Sequence, residues 1–169
     1  MKNNYIYTCV DELTDKYCTC NPFELMDALG IQCAASNLEH LKGYCVIIYG
    51  IKFVAINENL SPQERRIVAA HELGHIILHS DRLKAAAHED MNIYNIADKT
   101  EYQANLFAAD LLICDDEVNK LANQEGMDYY TIAKCLSTNP QLLAFKLLSM
   151  AKRGYNYNFP IPPKSTFLA

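Results

Sequence analysis

The stretch that most constrains this chain is SPQERRIVAAHELGHIILH, residues 61–79. Ser61 stands before Pro62, and Glu64 follows three residues after the serine. A serine at this point accepts a hydrogen bond from the helix start, the glutamate returns one to the serine N–H, and proline suits the first helical position. These four residues therefore write a helix start, and the residues after them carry the helix to about His79. Gly74 weakens such a helix by about 1 kcal/mol relative to alanine. A glycine kept inside a helix implies that something passes close to its backbone.

The same stretch contains His71-Glu72-Leu73-Gly74-His75, the H-E-x-x-H pattern. Residues four apart on an α-helix differ by ~40° in direction and ~6 Å along the axis. Two imidazoles so placed can converge on one ion at ligand distances of ~2.0–2.1 Å. Glu72 points ~100° away from His71, beside the ion but not on it, where a general base for a zinc-activated water belongs. His79 lies ~12 Å along the axis from His71, so a straight helix cannot bring both to one zinc. It is expected instead as a packing or capping histidine at the helix end, where a positive charge suits the dipole.

Two histidines leave a catalytic zinc site incomplete, because such sites use three protein ligands and an open position. The metzincin pattern needs a histidine six residues after His75 and a glycine three residues after it. Those positions hold Asp81 and Leu78, which excludes it. Glu101 is the candidate third ligand, at the head of a helix opened by the capping-box sequence DKTE (98–101). Asn105 is one turn further on the same face. It can accept a hydrogen bond from the free N–H of a ligating histidine and fix its tautomer. His88, Glu89 and Asp90, in the intervening segment, are rival ligands. Tyr94, Tyr102, His79 and His88 are candidate donors to the charge that develops during hydrolysis, with no choice made among them.

The rest of the chain supplies a frame for this helix. Residues 5–17 have helical apolar spacing, and Asn21-Pro22 opens a short helix that Gly30 ends. IQCAAS (31–36) reads as a strand, and GYCVIIYG with IKFVAIN reads as a hairpin turning at Tyr49-Gly50. Two or three shorter helices are expected, at about 115–124, 128–136 and 140–153. The order is helices, a small antiparallel sheet, then helices, an α+β domain over residues 1–154. A Pro-containing tail, 155–169, either lies extended over that domain or is disordered.

Composition narrows the function classes. A net charge of −5 and the lack of a dense Lys/Arg run argue against direct nucleic-acid binding. A helix-turn-helix reading of 128–148 has only Lys134 and Lys146 for phosphate contacts. The most apolar window, 45–56, is too short for a membrane span and is broken by Gly50 and Lys52. No secretory signal opens the chain, so a cytoplasmic location with no membrane partner is expected. The seven cysteines are expected as reduced and mostly buried thiols.

AAHELGHIILH, followed about twenty residues later by EYQANLFAADLL, resembles the ImmA/IrrE family of zinc metallopeptidases, whose usual form is H-E-L-G-H and then E-x-E-A-N-x-F-A-A-x-L-L. The match runs over roughly 40–115, and IAKCLSTNPQLLAFKLL resembles the family's closing helices. The resemblance implies a zincin-like, gluzincin-type minimal peptidase fold. It also implies Zn2+ on His71, His75 and Glu101, Glu72 as catalytic base, and Asn105 in support. The second glutamate of E-x-E-A-N is Gln103 here. Two residues along a helix turn ~200°, so only one of Glu101 and Gln103 can face the zinc helix, and pairing with Asn105 favours Glu101. Family members cleave helix-turn-helix repressors of mobile elements or stress regulons, which implies a single protein substrate. The alternative is a non-proteolytic zinc-containing regulator or toxin–antitoxin component that acts by protein binding.

Overall fold

The computed structural model describes residues 5–86, 97–157, 161–164 and 166–168. Two helices open the fold, α1 (Tyr5–Tyr17) and α2 (Pro22–Ala28). Asn21 caps α2 by accepting from Phe23 N–H at 3.1 Å. Three strands follow, β1 (Gln32–Ser36), β2 (Gly43–Ile48) and β3 (Ile51–Asn57). Tyr49 and Gly50, at φ +51° and +82°, make the hairpin turn between β2 and β3. Positive φ at both central residues matches the right-handed twist of paired strands.

The sheet order is β1-β3-β2. β2 pairs antiparallel with β3, but β1 pairs with β3 in parallel. The sheet is therefore mixed, which corrects the expectation of a wholly antiparallel one. A strand carries the same side-chain alternation in either direction. The chain path after β1, which comes back as a hairpin whose second strand lies between the other two, decides the orientation.

The long helix α3 (Pro62–Ala86) lies against the sheet. Its start is the expected reciprocal cap, Ser61 N–H donating to Glu64 at 3.1 Å and Glu64 N–H to Ser61 Oγ at 3.3 Å. Its first segment ends at His79, as expected. The backbone leaves helical geometry there, at φ −129° and ψ 22°, and the helix resumes to Ala86. After residues outside the described set come α4 (Ala97–Leu112), α5 (Asp115–Ala122), α6 (Tyr129–Cys135) and α7 (Pro140–Lys152). α6 and α7 start where Asp128 and Asn139 accept from Thr131 and Gln141 N–H, both at 2.8 Å. α4 is already helical at Ala97, one residue before DKTE.

The core sits between the sheet and α4 and α7, around Leu25, Val54, Leu73, Ile76, Phe107, Leu142 and Phe145. A second, ionic contact joins α4, α5 and α7. Lys146 Nζ lies 3.0 Å from Asp110 and 2.6 Å from Asp115, and Ser149 donates to Asp110 at 2.7 Å. Burial pushes the Asp110 carboxyl up despite the lysine beside it. Lys146 is thus used inside the protein. The tail packs on the domain where it is described: Lys164 N–H donates to Gln141 at 3.0 Å, Lys42 Nζ donates to the Phe167 carbonyl at 3.0 Å, and Phe167 stacks on Phe145.

All seven cysteines are free thiols, but five of them (Cys18, Cys20, Cys33, Cys114 and Cys135) are exposed. That corrects the expectation of buried thiols. They fall at helix ends, connections and an edge strand, positions that apolar count alone does not reveal. Among the described residues no helix is long and apolar enough to cross a membrane.

Gly74 has the close neighbour that its place in the helix implied. A Cβ built on it would lie 3.1 Å from Phe107 Cδ1 and 3.2 Å from Phe107 Cβ. Gly74→Ala should fall near neutral, because about 1 kcal/mol of helix propensity offsets the crowding. Gly74→Val, with two further methyls against the ring, should lose about 1–3 kcal/mol or more. Urea denaturation of the two variants checks this, and equal stabilities would contradict the crowding.

Candidate metal centre

His71 and His75 lie one turn apart on α3, both buried, with ring centroids 4.6 Å apart and planes nearly perpendicular. Their Nε2 atoms are 3.0 Å apart. Glu101 comes across from the second turn of α4, with one carboxylate oxygen 3.1 Å from His71 Nε2 and the other 3.2 Å from His75 Nε2. These are the residues that form a group able to hold a metal ion among those described. His88, Glu89, Asp90 and Tyr94 lie outside the described residues.

The donor set can be tested for fit to zinc. Three donor atoms meet pairwise, but two neutral imidazoles offer at most one Nε2 proton each, and an ionised carboxylate offers none. Three short contacts therefore share at most two protons when the rings are neutral, and two positive rings would face each other when they are not. A cation among the three gives each facing donor atom a partner without any proton. Ligands at ~2.05 Å from a tetrahedral ion stand ~3.3 Å from one another, close to the spacing present. Nitrogen and oxygen donors in this number suit zinc, and the fit holds.

The charge balance of Glu101 depends on the same contacts. Burial pushes its carboxyl up, but hydrogen bonds from His71 and His75 outweigh burial and leave it lowered to about 2. Gln103 points elsewhere, donating to Tyr5 Oη on α1 at 3.0 Å. The helical rotation that separates the two residues thus sends Glu101 to the histidines and Gln103 away from them.

Glu72 is buried at 7% exposure, with its carboxylate against the sheet. Its Oε1 comes within 3.4 Å of where a Cβ on Gly43 would stand. Cys45, two residues along β2 and so on the same face, hydrogen-bonds the Glu72 carboxylate. Burial pushes the Cys45 thiol up, and the charges of Glu72 and Glu101 push it further. It is a neutral donor. Gly43 and Cys45 were not singled out in the sequence, although the alternation of Gly43, Cys45 and Ile47 marks one face of β2. What was missing was which face meets α3.

Asn105 is fully buried on α4. His71 Nδ1 is buried without a hydrogen-bond partner among the described residues. Tyr102 turns to α7, where its hydroxyl accepts from Lys152 Nζ at 3.0 Å. His79 is neither a capping cation nor a member of the triad. It is buried within the helix, and burial first, then the neighbouring His75, lowers it to about 4.

Residues 27–148 match the peptidase family described as the IrrE N-terminal-like domain. The chain is 36% identical over 130 residues to "Uncharacterized immunity region protein 2" of Bacillus phage phi105, covering 74% of this chain and 81% of the phage protein. It is 40% identical over 109 residues to "Metallopeptidase ImmA" of Bacillus subtilis strain 168, covering 62% of each.

The lowered Glu101 carboxyl carries a pH signature. It binds its proton less readily folded than unfolded, so its stabilisation is fully present above an unfolded pKa of about 4.3 and is lost as pH falls through about 2. In metal-free protein the wild type should melt above Glu101→Gln at about pH 5. That difference should narrow as pH drops toward 2, and a constant gap in thermal unfolding would refute the assignment.

Proposed function

Since this chain belongs to the ImmA/IrrE family of metallopeptidases, we propose that it is a zinc-dependent endopeptidase that cleaves one partner protein, a helix-turn-helix repressor, and so relieves repression in a mobile element or stress response. The observation that carries the hydrolytic part is the meeting of His71, His75 and Glu101 at 3.0–3.2 Å beside the buried Glu72. His71 and His75 would hold zinc through Nε2, and Glu101 through its carboxylate. Zinc bound there supplies a Lewis acid that polarises the scissile carbonyl and makes water nucleophilic near neutral pH.

The chain's own residues do the rest. Glu72 takes the proton of the attacking water and passes it to the leaving amine nitrogen. Its place against Gly43 and Cys45 keeps the carboxylate on the sheet side of the metal centre. β2 is an edge strand with β3 as its neighbour among the described residues. An extended substrate that paired along the free edge of β2 would pass over Glu72. Asn105, buried one turn after Glu101, supports the ligand-bearing face of α4.

The partner class comes from the family, and the phage relative's name, which assigns that protein to an immunity region, supports it. A repressor substrate implies work in the cytoplasm. Zinc-loaded protein mixed with the repressor encoded beside it should produce one discrete cut by mass spectrometry. Glu72→Gln should slow that cut by about 10²–10⁴-fold while keeping one zinc per chain. A repressor left intact by the wild type would sink the proposal. Repression relieved equally well by Glu72→Gln would point to a regulator that works by binding alone.

A further inference from the structure

His79 belongs to the equally spaced row His71, His75, His79 yet stands outside the metal triad. Its surroundings are unusual in three respects. The helix breaks at this residue and then resumes. The ring is buried, with its centroid 5.7 Å from that of His75. Its Nε2 is buried with no hydrogen-bond partner among the described residues.

The other ring nitrogen explains the arrangement. The imidazole hydrogen-bonds the backbone of Thr100, in the sense that favours the charged ring, so the ring donates and the carbonyl accepts. With Nε2 unpartnered, the donor is Nδ1–H. The Thr100 carbonyl has a second lone pair beyond the one used in the helix, so α4 loses nothing by accepting. Thr100 immediately precedes Glu101. An unpaired nitrogen in the interior is destabilising, and a phenyl ring would fill the same space without it. Packing therefore does not account for a histidine here, whereas the Nδ1–H bond does.

We propose that His79 is a positioning residue for the metal centre: its Nδ1–H bond to the Thr100 carbonyl latches the first turns of α4 onto α3 and holds the Glu101 carboxylate between His71 and His75. The latch rests on the reading of His71, His75 and Glu101 as zinc ligands. A bond from outside the coordinating set that orients a ligand typically changes metal affinity by about 10–100-fold. Here it acts through the backbone of the residue next to the ligand.

The test is zinc affinity of the full chain, measured by competition with a chromophoric chelator. His79→Phe should bind zinc about 10–100-fold more weakly, with metal-free thermal stability equal to or above that of the wild type. His79→Gln, which keeps an N–H donor, should recover part of the affinity, a rescue that lost packing would not produce. Wild-type affinity in His79→Phe would overturn the latch while leaving the triad intact. Glu101→Ala binding zinc as tightly as the wild type would instead overturn the triad. Long-range ¹H–¹⁵N spectra of the wild type give a reading independent of any variant's folding. They should assign His79 as the Nδ1–H tautomer, and an Nε2–H tautomer would overturn the proposal.

Discussion

The close passage of α4 over Gly74 is the contact on which the candidate centre depends. Phe107 lies where a side chain on Gly74 would otherwise be, and Thr100 lies by His79. The two helices therefore run past each other in opposite directions. Their separation at this crossing sets how far Glu101 must reach to meet rings one helical turn apart. A bulky residue at position 74 would push α4 outward and lengthen both 3.1–3.2 Å contacts. The glycine weakens α3 locally, and the close packing it permits at the crossing offsets the helix propensity it forgoes.

α4 is held from its other side by α7, through apolar contacts around Phe145 and through the Lys146, Asp110 and Asp115 cluster. Arg153 joins the cluster through Asp115 and lies over the Tyr7 ring at 3.7 Å, which ties in α1. Desolvation offsets most of what such buried pairs gain by attraction, so the hydrophobic contacts supply most of the stability. The charges add directional contacts that apolar side chains lack. α4 thus carries one ionic group toward α7 and another toward α3, on opposite faces of the same helix.

Much of the frame was legible in the sequence because its signals are local. Ser61 with Glu64, Asn21 with Pro22, and Asn139 with Pro140 mark helix starts through groups only a few residues apart, and the caps at Ser61, Asn21 and Asn139 are made. Tyr49-Gly50 similarly marks its turn. DKTE carries the same local signal, but α4 is already helical at Ala97, before it. The parallel pairing of β1 with β3 was not legible, since strand alternation is the same in both directions. The end of the first segment of α3 at His79 was legible, whereas the length of the helical stretch after the kink was not, because the residues that follow lack clear periodicity.

The sequence by itself determined the pair of imidazoles on one helix face, the glutamate turned aside from them, and the family to which the chain is related. Each follows from helical spacing or from a motif read along the chain. Only the tertiary structure decided that Cys45 and Gly43 border Glu72 and that His79 is a neutral buried ring against the backbone of Thr100. Those outcomes depend on how α4 crosses α3 and which face of β2 is covered. Such choices are made by packing between segments far apart in the chain, and no local pattern of residues encodes them.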